Sequence, residues 1–158
     1  MYDKEIPNNL NDGCIHFIVR SASRALSRLY DSEIECYGIT GAQFNILSAI
    51  NNSQNFNSTN LAKTLNFHRT SLARICRPLV KNGLIDFASK NKVDGRTVKY
   101  ILTNLGQDKL KEAYPAWKKI NEEVHNALTL LPAMKLDSFK NYLQFLGKID
   151  EKLMDKKE

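Results

Sequence analysis

Apolar residues recur at helical spacing near the start of the chain. Ile15, Ile18, Val19, Ala22, Leu26 and Leu29 share one face, while Arg20, Arg24 and Arg28 run up another at i, i+4, i+8. The spacing predicts an amphipathic helix over residues 14–32, capped near Asn11 or Asp12 and ended before Gly38. A shorter helix is expected over 41–50, with Thr40 as N-cap and Phe44, Leu47 and Ile50 inward. After a polar loop, Ser58 or Thr59 caps a helix of under two turns that buries Leu61, Ala62 and Leu65 and breaks at Asn66 and Phe67. A longer helix then begins near His68 or Arg69 and continues to Lys81, its inner face made by Leu72, Ile75, Leu79 and Val80. Pro78 removes one backbone bond late in this helix, and Asn82-Gly83 supplies a left-handed stop.

The period then changes from helical to alternating. Residues 84–88 and 98–102 read as strands, the second turning either Val98, Tyr100 and Leu102 or Lys99 and Ile101 inward. The polar, basic segment between them is a hairpin tip. A helix capped by Thr103 follows, burying Leu110, Ala113, Trp117, Ile120, Val124 and Leu128, with a kink expected at Pro115. Leu136, Phe139, Leu143, Leu146, Ile149 and Leu153 then repeat the same period. Together with the first helix, these seams carry more apolar surface than a small domain covers. A bundle within one chain is the plain reading; a bundle shared by two chains accounts better for the surplus. The expected class is mainly α with a small β-hairpin wing: a winged helix-turn-helix joined to a helical dimerisation bundle. Its parts are residues 1–36, 37–103 and 104–158.

Charge sharpens this picture. The chain carries a formal net charge of +6, and the excess is local. Residues 58–100 hold Lys63, Arg69, Arg74, Arg77, Lys81, Lys90, Lys92, Arg96 and Lys99 against only Asp86 and Asp94. A basic block in an otherwise near-neutral chain is the electrostatic footprint of a phosphate-binding surface. With Leu72, Ile75 and Leu79 inward, the outer face of the fourth helix must be Arg69, Thr70, Ala73, Arg74 and Arg77. Small residues at Thr70, Ser71 and Ala73 permit close approach to a major groove, and the arginines reach guanine edges or phosphates. A merely solvated basic face is the competing reading.

Other chemistry has little foothold. Cys14, Cys36 and Cys76 are odd in number and widely spaced, which speaks against a disulfide framework or zinc site. No metalloprotease, nucleophile-elbow, phosphate-loop or dinucleotide motif occurs, so no catalytic residue, metal or cofactor is expected. No stretch is apolar enough to span a membrane and the first residues lack a signal-peptide core, so a cytoplasmic location is expected.

The segment from Asp94-Gly95-Arg96 through Val98-Lys99-Tyr100-Ile101-Leu102-Thr103-Asn104-Leu105-Gly106 resembles the wing signature of the MarR family of transcriptional regulators. Gly38-Ile39-Thr40 with Gln43-Phe44, Leu61-Ala62-Lys63-Thr64-Leu65, Leu72 and Gly83-Leu84-Ile85 are similar to its other landmarks, in order and at fitting distances. The resemblance implies a homodimer on double-stranded DNA with a pseudo-palindromic operator. Helix 68–82 would lie in the major groove and wing 88–98 at the minor groove. Arg69, Thr70, Ser71, Arg74 and Arg77 would meet bases and phosphates, Ser58 or Thr59 a phosphate, and Arg96 the minor groove, with Lys90 and Lys92 beside it and Asp94 bracing the wing. His68 stands where the resemblance implies an acidic or serine cap.

The resemblance also implies a pocket for a small aromatic or anionic effector, with His16, Arg20, Phe44, Tyr114 and Trp117 as candidates; core packing is the plainer role for the aromatic ones. One family subgroup senses hydroperoxides through a cysteine of the first helix. Alignment on Ala22-Ser23-Arg24 puts that place at His16, with Cys14 two residues earlier and about 200° round the helix. A redox-sensing regulator using Cys14 and a helical interaction scaffold that does not bind DNA are the alternatives. The scaffold predicts an acidic or apolar outer face on the fourth helix.

Overall fold

The computed structural model describes residues 14–52, 57–88, 98–129 and 136–146. In chain order the elements are α1 (Ile15–Ile34), a 3-10 turn (Glu35–Tyr37), α2 (Gly41–Asn52), α3 (Ser58–Thr64), α4 (Arg69–Lys81), β1 (Ile85–Phe87), β2 (Tyr100–Leu102), α5 (Asn104–Thr129) and α6 (Leu136–Leu146). The expected class, mainly α with a small hairpin, is the one observed. No helix among the described residues is long and apolar enough to cross a membrane.

Several helix ends have a local chemical cause. Thr40 and Gln43 form a reciprocal capping box at the start of α2: the Gln43 amide donates to Thr40 Oγ1 at 3.3 Å, and the Thr40 amide to Gln43 Oε1 at 2.9 Å. The next free donor, Gly41 N–H, is taken by Asp31 Oδ1 of α1 at 2.7 Å. α3 ends in a Schellman motif, with Phe67 N–H on Ala62 O at 2.8 Å and Asn66 N–H on Lys63 O at 3.1 Å. Asn66 takes the left-handed conformation this requires, at φ 53°. α4 stops the same way: Leu84 N–H reaches Leu79 O, Gly83 N–H reaches Val80 O, and Gly83 sits at φ 70°. Helix, tight turn and longer helix are thus joined by two backbone locks of one type.

Several expectations need correction. α1 begins after an extended Cys14, so its N-cap is Cys14 and not Asn11 or Asp12. α3 is capped by Asn57, whose Oδ1 accepts from Asn60 N–H at 2.8 Å; Ser58 and Thr59 lie inside the first turn. The strands are three residues each. Tyr100 faces inward as in the first alternative, but Val98 is exposed. α5 runs unbroken through Pro115 and fully buries Gly106, Ala113 and Ile120; Leu110, Trp117, Val124 and Leu128 are only half-buried. The seam expected to reach Leu153 passes outside the described residues after residue 146.

The core lies where α2, α3, α4 and the hairpin meet. Leu47, Leu61, Leu72, Leu79 and Ile85 are fully buried there, and Ile34 and Ala113 close it from α1 and α5. The strands pair antiparallel in the register Ile85 with Leu102 and Phe87 with Tyr100. A bridge from Asn57 to Lys99 makes the start of α3 a third edge of the hairpin. Cys76 is buried with them, hydrogen-bonded to Tyr100 of β2. Burial pushes its thiol from 9.0 up to about 11, partly countered by that bond. Burial, reinforced by the neighbouring Cys76, pushes the Tyr100 hydroxyl from 10.0 up to about 12.

Two predictions follow from these contacts. The folded chain holds its Cys76 and Tyr100 protons after the unfolded chain has released them. Their contribution is therefore complete below about pH 9 and is lost as pH rises towards 11 and 12. Urea midpoints measured across that interval should fall, and less steeply in Cys76→Ala with Tyr100→Phe. The second concerns glycine. A Cβ on Gly83 meets nothing nearer than 4.0 Å, so Gly83→Ala costs only its left-handed backbone, about 1–2 kcal/mol. A Cβ on Gly106 would overlap the Leu84 carbonyl oxygen and lie 2.8 Å from Leu102 Cδ1. Glycine to alanine inside a helix ordinarily gains about 1 kcal/mol. Here Gly106→Ala should lose at least about 2 kcal/mol, read as a lowered urea midpoint.

Candidate nucleic-acid interface

α4 is a thirteen-residue helix with two different faces. Leu72, Cys76 and Leu79, at i, i+4, i+7, are buried, with Ile75 and Val80 half-buried beside them. This fixes the helix's rotation, and Arg69, Thr70, Ala73, Arg74 and Arg77 accordingly face solvent. Ser71 is half-buried at the edge. The expected inner face missed Cys76, which a count of strongly apolar residues overlooks although cysteine is among the most often buried side chains. Among the described residues neither Arg74 nor Arg77 pairs with a carboxylate.

The beginning of α4 is electrostatically open. Its N-cap, His68, is extended and makes no side-chain cap hydrogen bond, and no acidic residue occupies the first turn. The positive end of the helix dipole is therefore uncompensated by its own sequence. Beside it an open groove of about 260 Å³ is lined by Ser58, Arg69, Thr70, Leu72, Ala73, Val98 and Tyr100. Its floor is the root of the hairpin, where Ser58 N–H donates to Val98 O at 2.6 Å and Ala88 N–H to Lys99 O at 3.0 Å. The structure thus brings Ser58, Arg69 and Thr70 together at one edge of α4, with Thr59 next along α3. Lys90, Lys92, Asp94 and Arg96 lie at 89–97, outside the described residues.

The effector candidates separate into two groups. Phe44, Trp117 and Tyr114 form a ladder of rings, with centroids 5.6 Å apart from Phe44 to Trp117 and 6.0 Å from Trp117 to Tyr114. Phe44 is buried at one end as part of the core and Tyr114 is exposed at the other. His16 and Arg20 are exposed on α1. Cys14 and Cys36 are exposed free thiols, whereas Cys76 is enclosed.

Residues 39–98 match the MarR family. No curated protein matches the sequence at a significant level. Among solved structures, the chain is similar to the transcriptional regulator MosR of M. tuberculosis in complex with DNA. The identity is 26%, the match covers 89% of this chain and 98% of that one, and the TM-score is 0.76. It is also similar to the MepR–DNA complex of S. aureus, at 17% identity, with coverages of 88% and 98% and a TM-score of 0.65. A third likeness is to the PcaV regulator of Streptomyces coelicolor in complex with its natural ligand, at 15% identity, 92% and 98% coverage and a TM-score of 0.69. At the last two identities the likeness is one of fold. Residues 39–98 thus match the MarR family, and the chain shares the fold of these solved regulators.

Proposed function

We propose that the chain is a homodimeric transcriptional regulator that binds a pseudo-palindromic operator in double-stranded DNA. One observation carries this reading: the solvent face of α4 holds Arg69, Arg74 and Arg77 with small residues between them and no carboxylate, while the opposite face is locked into the core. α4 enters the major groove, where Arg74 and Arg77 take guanine edges or phosphates. Ser58, Thr59, Arg69, Thr70 and Ser71 hold the backbone beside it, and the wing with Lys90, Lys92 and Arg96 lies along the minor groove, braced by Asp94. A scaffold without DNA affinity is disfavoured by the same face, which is neither acidic nor apolar.

The dimer rests on what the chain leaves uncovered. Ile15, Ile18, Leu26 and Leu29 of α1 are each 42% exposed or more, and their spacing returns them to one face of the helix. Tyr142 and Leu143 of α6 are exposed as well. A second copy covers such surface and sets two recognition helices about one DNA turn, roughly 34 Å, apart. Bound across a promoter, the dimer represses by occlusion. An aromatic or anionic effector lodged by Tyr114, Trp117, His16 and Arg20 releases it by changing the distance between the lobes.

Fluorescence anisotropy with a duplex from upstream of the protein's own gene tests the reading, alongside a scrambled duplex at two salt concentrations. Preference for the upstream duplex by ~10³-fold, weakening with salt, is expected. Arg74→Ala should cost about 1–3 kcal/mol of that specific binding. No binding to either duplex at low salt would refute it. In sedimentation the chain should run as a dimer, and Leu26→Glu with Leu29→Glu should raise the dimer dissociation constant about 30-fold or more.

A further inference from the structure

Among the described residues, polar joints tie the winged domain to the two long helices at the end of α4 and at the start of α2. Thr103 is the first. Its hydroxyl donates to Gly83 O at 2.7 Å, with Leu84 O a weaker second acceptor at 3.1 Å, and accepts from Gly106 N–H at 3.0 Å. Its own amide donates to Leu84 O at 3.2 Å. One side chain therefore caps the start of α5 and grips the two residues that terminate α4. Gly106 lets the helix backbone settle against the Leu84 carbonyl, which any Cβ would displace. The second joint is Asp31 of α1, bonded to Gly41 N–H at the start of α2. Gly41 is buried there, and a Cβ would stand 3.2 Å from Asp31 Oδ1 and 3.3 Å from Tyr30 Cβ. The long helices are in turn tied to each other where Tyr30 Oη donates to Asn121 Oδ1 at 3.0 Å.

We infer that Thr103, Gly106 and Asp31 are positioning residues for DNA binding: they clamp the winged domain to α1 and α5, so that each protomer turns as one piece and the dimer reads half-site spacing. This rests on the DNA-binding dimer proposed above. A clamp on one side only would leave a hinge about the other. Clamps at the end of α4 and at the start of α2 hold the helix-turn-helix from both sides and leave the contact between protomers as the place where lobe separation changes.

The test uses the full chain and a duplex that the wild-type protein itself selects from a random library of ~30 bp, long enough for three helical turns. The two half-sites are then moved apart in single base pairs. Shifting them by ~5 bp turns one half-site to the opposite side of the duplex, so the wild type should lose at least about 100-fold in affinity. Thr103→Val keeps the side chain's shape and removes both of its hydrogen-bonding roles. It should flatten the penalty to under about 10-fold while binding to an isolated half-site stays within about 2-fold, because α4's own face is untouched. Thr103→Ser should restore the steep profile. Asp31→Ala should flatten it from the other side, and so decides the matter if Thr103→Val does not fold by circular dichroism. An unchanged spacing profile in the folded variants would overturn the inference. A wild type that binds DNA without spacing preference, or not at all, would instead bring down the dimer reading and this inference with it, and that outcome is visible before any variant is made.

Discussion

The whole surface of interest hangs on the rotation of one helix about its axis. α4 buries Leu72, Cys76 and Leu79, and those three positions leave a single stripe for everything that faces outward. A slip of one residue would turn that stripe by about 100° and bring arginines towards the core, where an unpaired guanidinium is not tolerated. The packing of three apolar side chains therefore sets which cations are presented. Cys76 is central to this arrangement. Between two leucines it is small enough to let α4 approach the hairpin, and its bond to Tyr100 adds direction to a contact that is otherwise only close packing.

The ends of α4 matter as much as its middle. A Schellman lock at Asn66 and Phe67 sets where the preceding turn delivers the chain, and a second at Gly83 and Leu84 sets where it leaves. Between them the N-terminus of α4 has no side-chain cap, and Ser58, Arg69 and Thr70 gather beside it. Local stability and exposed positive potential thus trade against each other at His68. An aspartate there would satisfy the amides of the first turn. It would also place a negative charge where the dipole end now meets solvent.

Much of this was legible in the residues. The helix-turn-helix, the stop at Asn82-Gly83, the Thr40 and Thr103 caps and the outward arginines all follow from period and capping chemistry. What was not legible depended on contacts distant in sequence. Asn57, Ser58 and Thr59 are three capping residues in a row, and local preference does not choose among them. The bridge from Asn57 to Lys99 does, by holding Asn57 extended just before the helix. Alternation allows Val98 to face inward with Tyr100 or outward, but the regular pairing runs only from Tyr100 to Leu102 and Val98 is left exposed although Tyr100 is buried. Gly106 had a visible place in the leucine–threonine–glycine signature, yet only the approach of the Leu84 carbonyl explains why a helix should begin with so poor a helix former.

The distribution of covered and uncovered apolar surface separates the chain into a closed part and an open one. The helix-turn-helix core is closed: Leu61, Leu72 and Leu79 are fully buried by elements of the same chain, so the arginine stripe is set within a single chain. The outer faces of α1 and α6 are open, with Ile15, Ile18, Tyr142 and Leu143 all exposed. A surface of this kind is stable in water chiefly when something apolar covers it. In the proposed regulator, base recognition would belong to the closed part, which is complete within one chain. The separation of two copies in the proposed dimer would be set by the open part. An effector that acted on α4's packing would have to disturb a closed core. In the proposed dimer, one that acted where α1 and α5 meet would need only to change how two copies lean together, which makes that junction the physically easier place to regulate DNA binding.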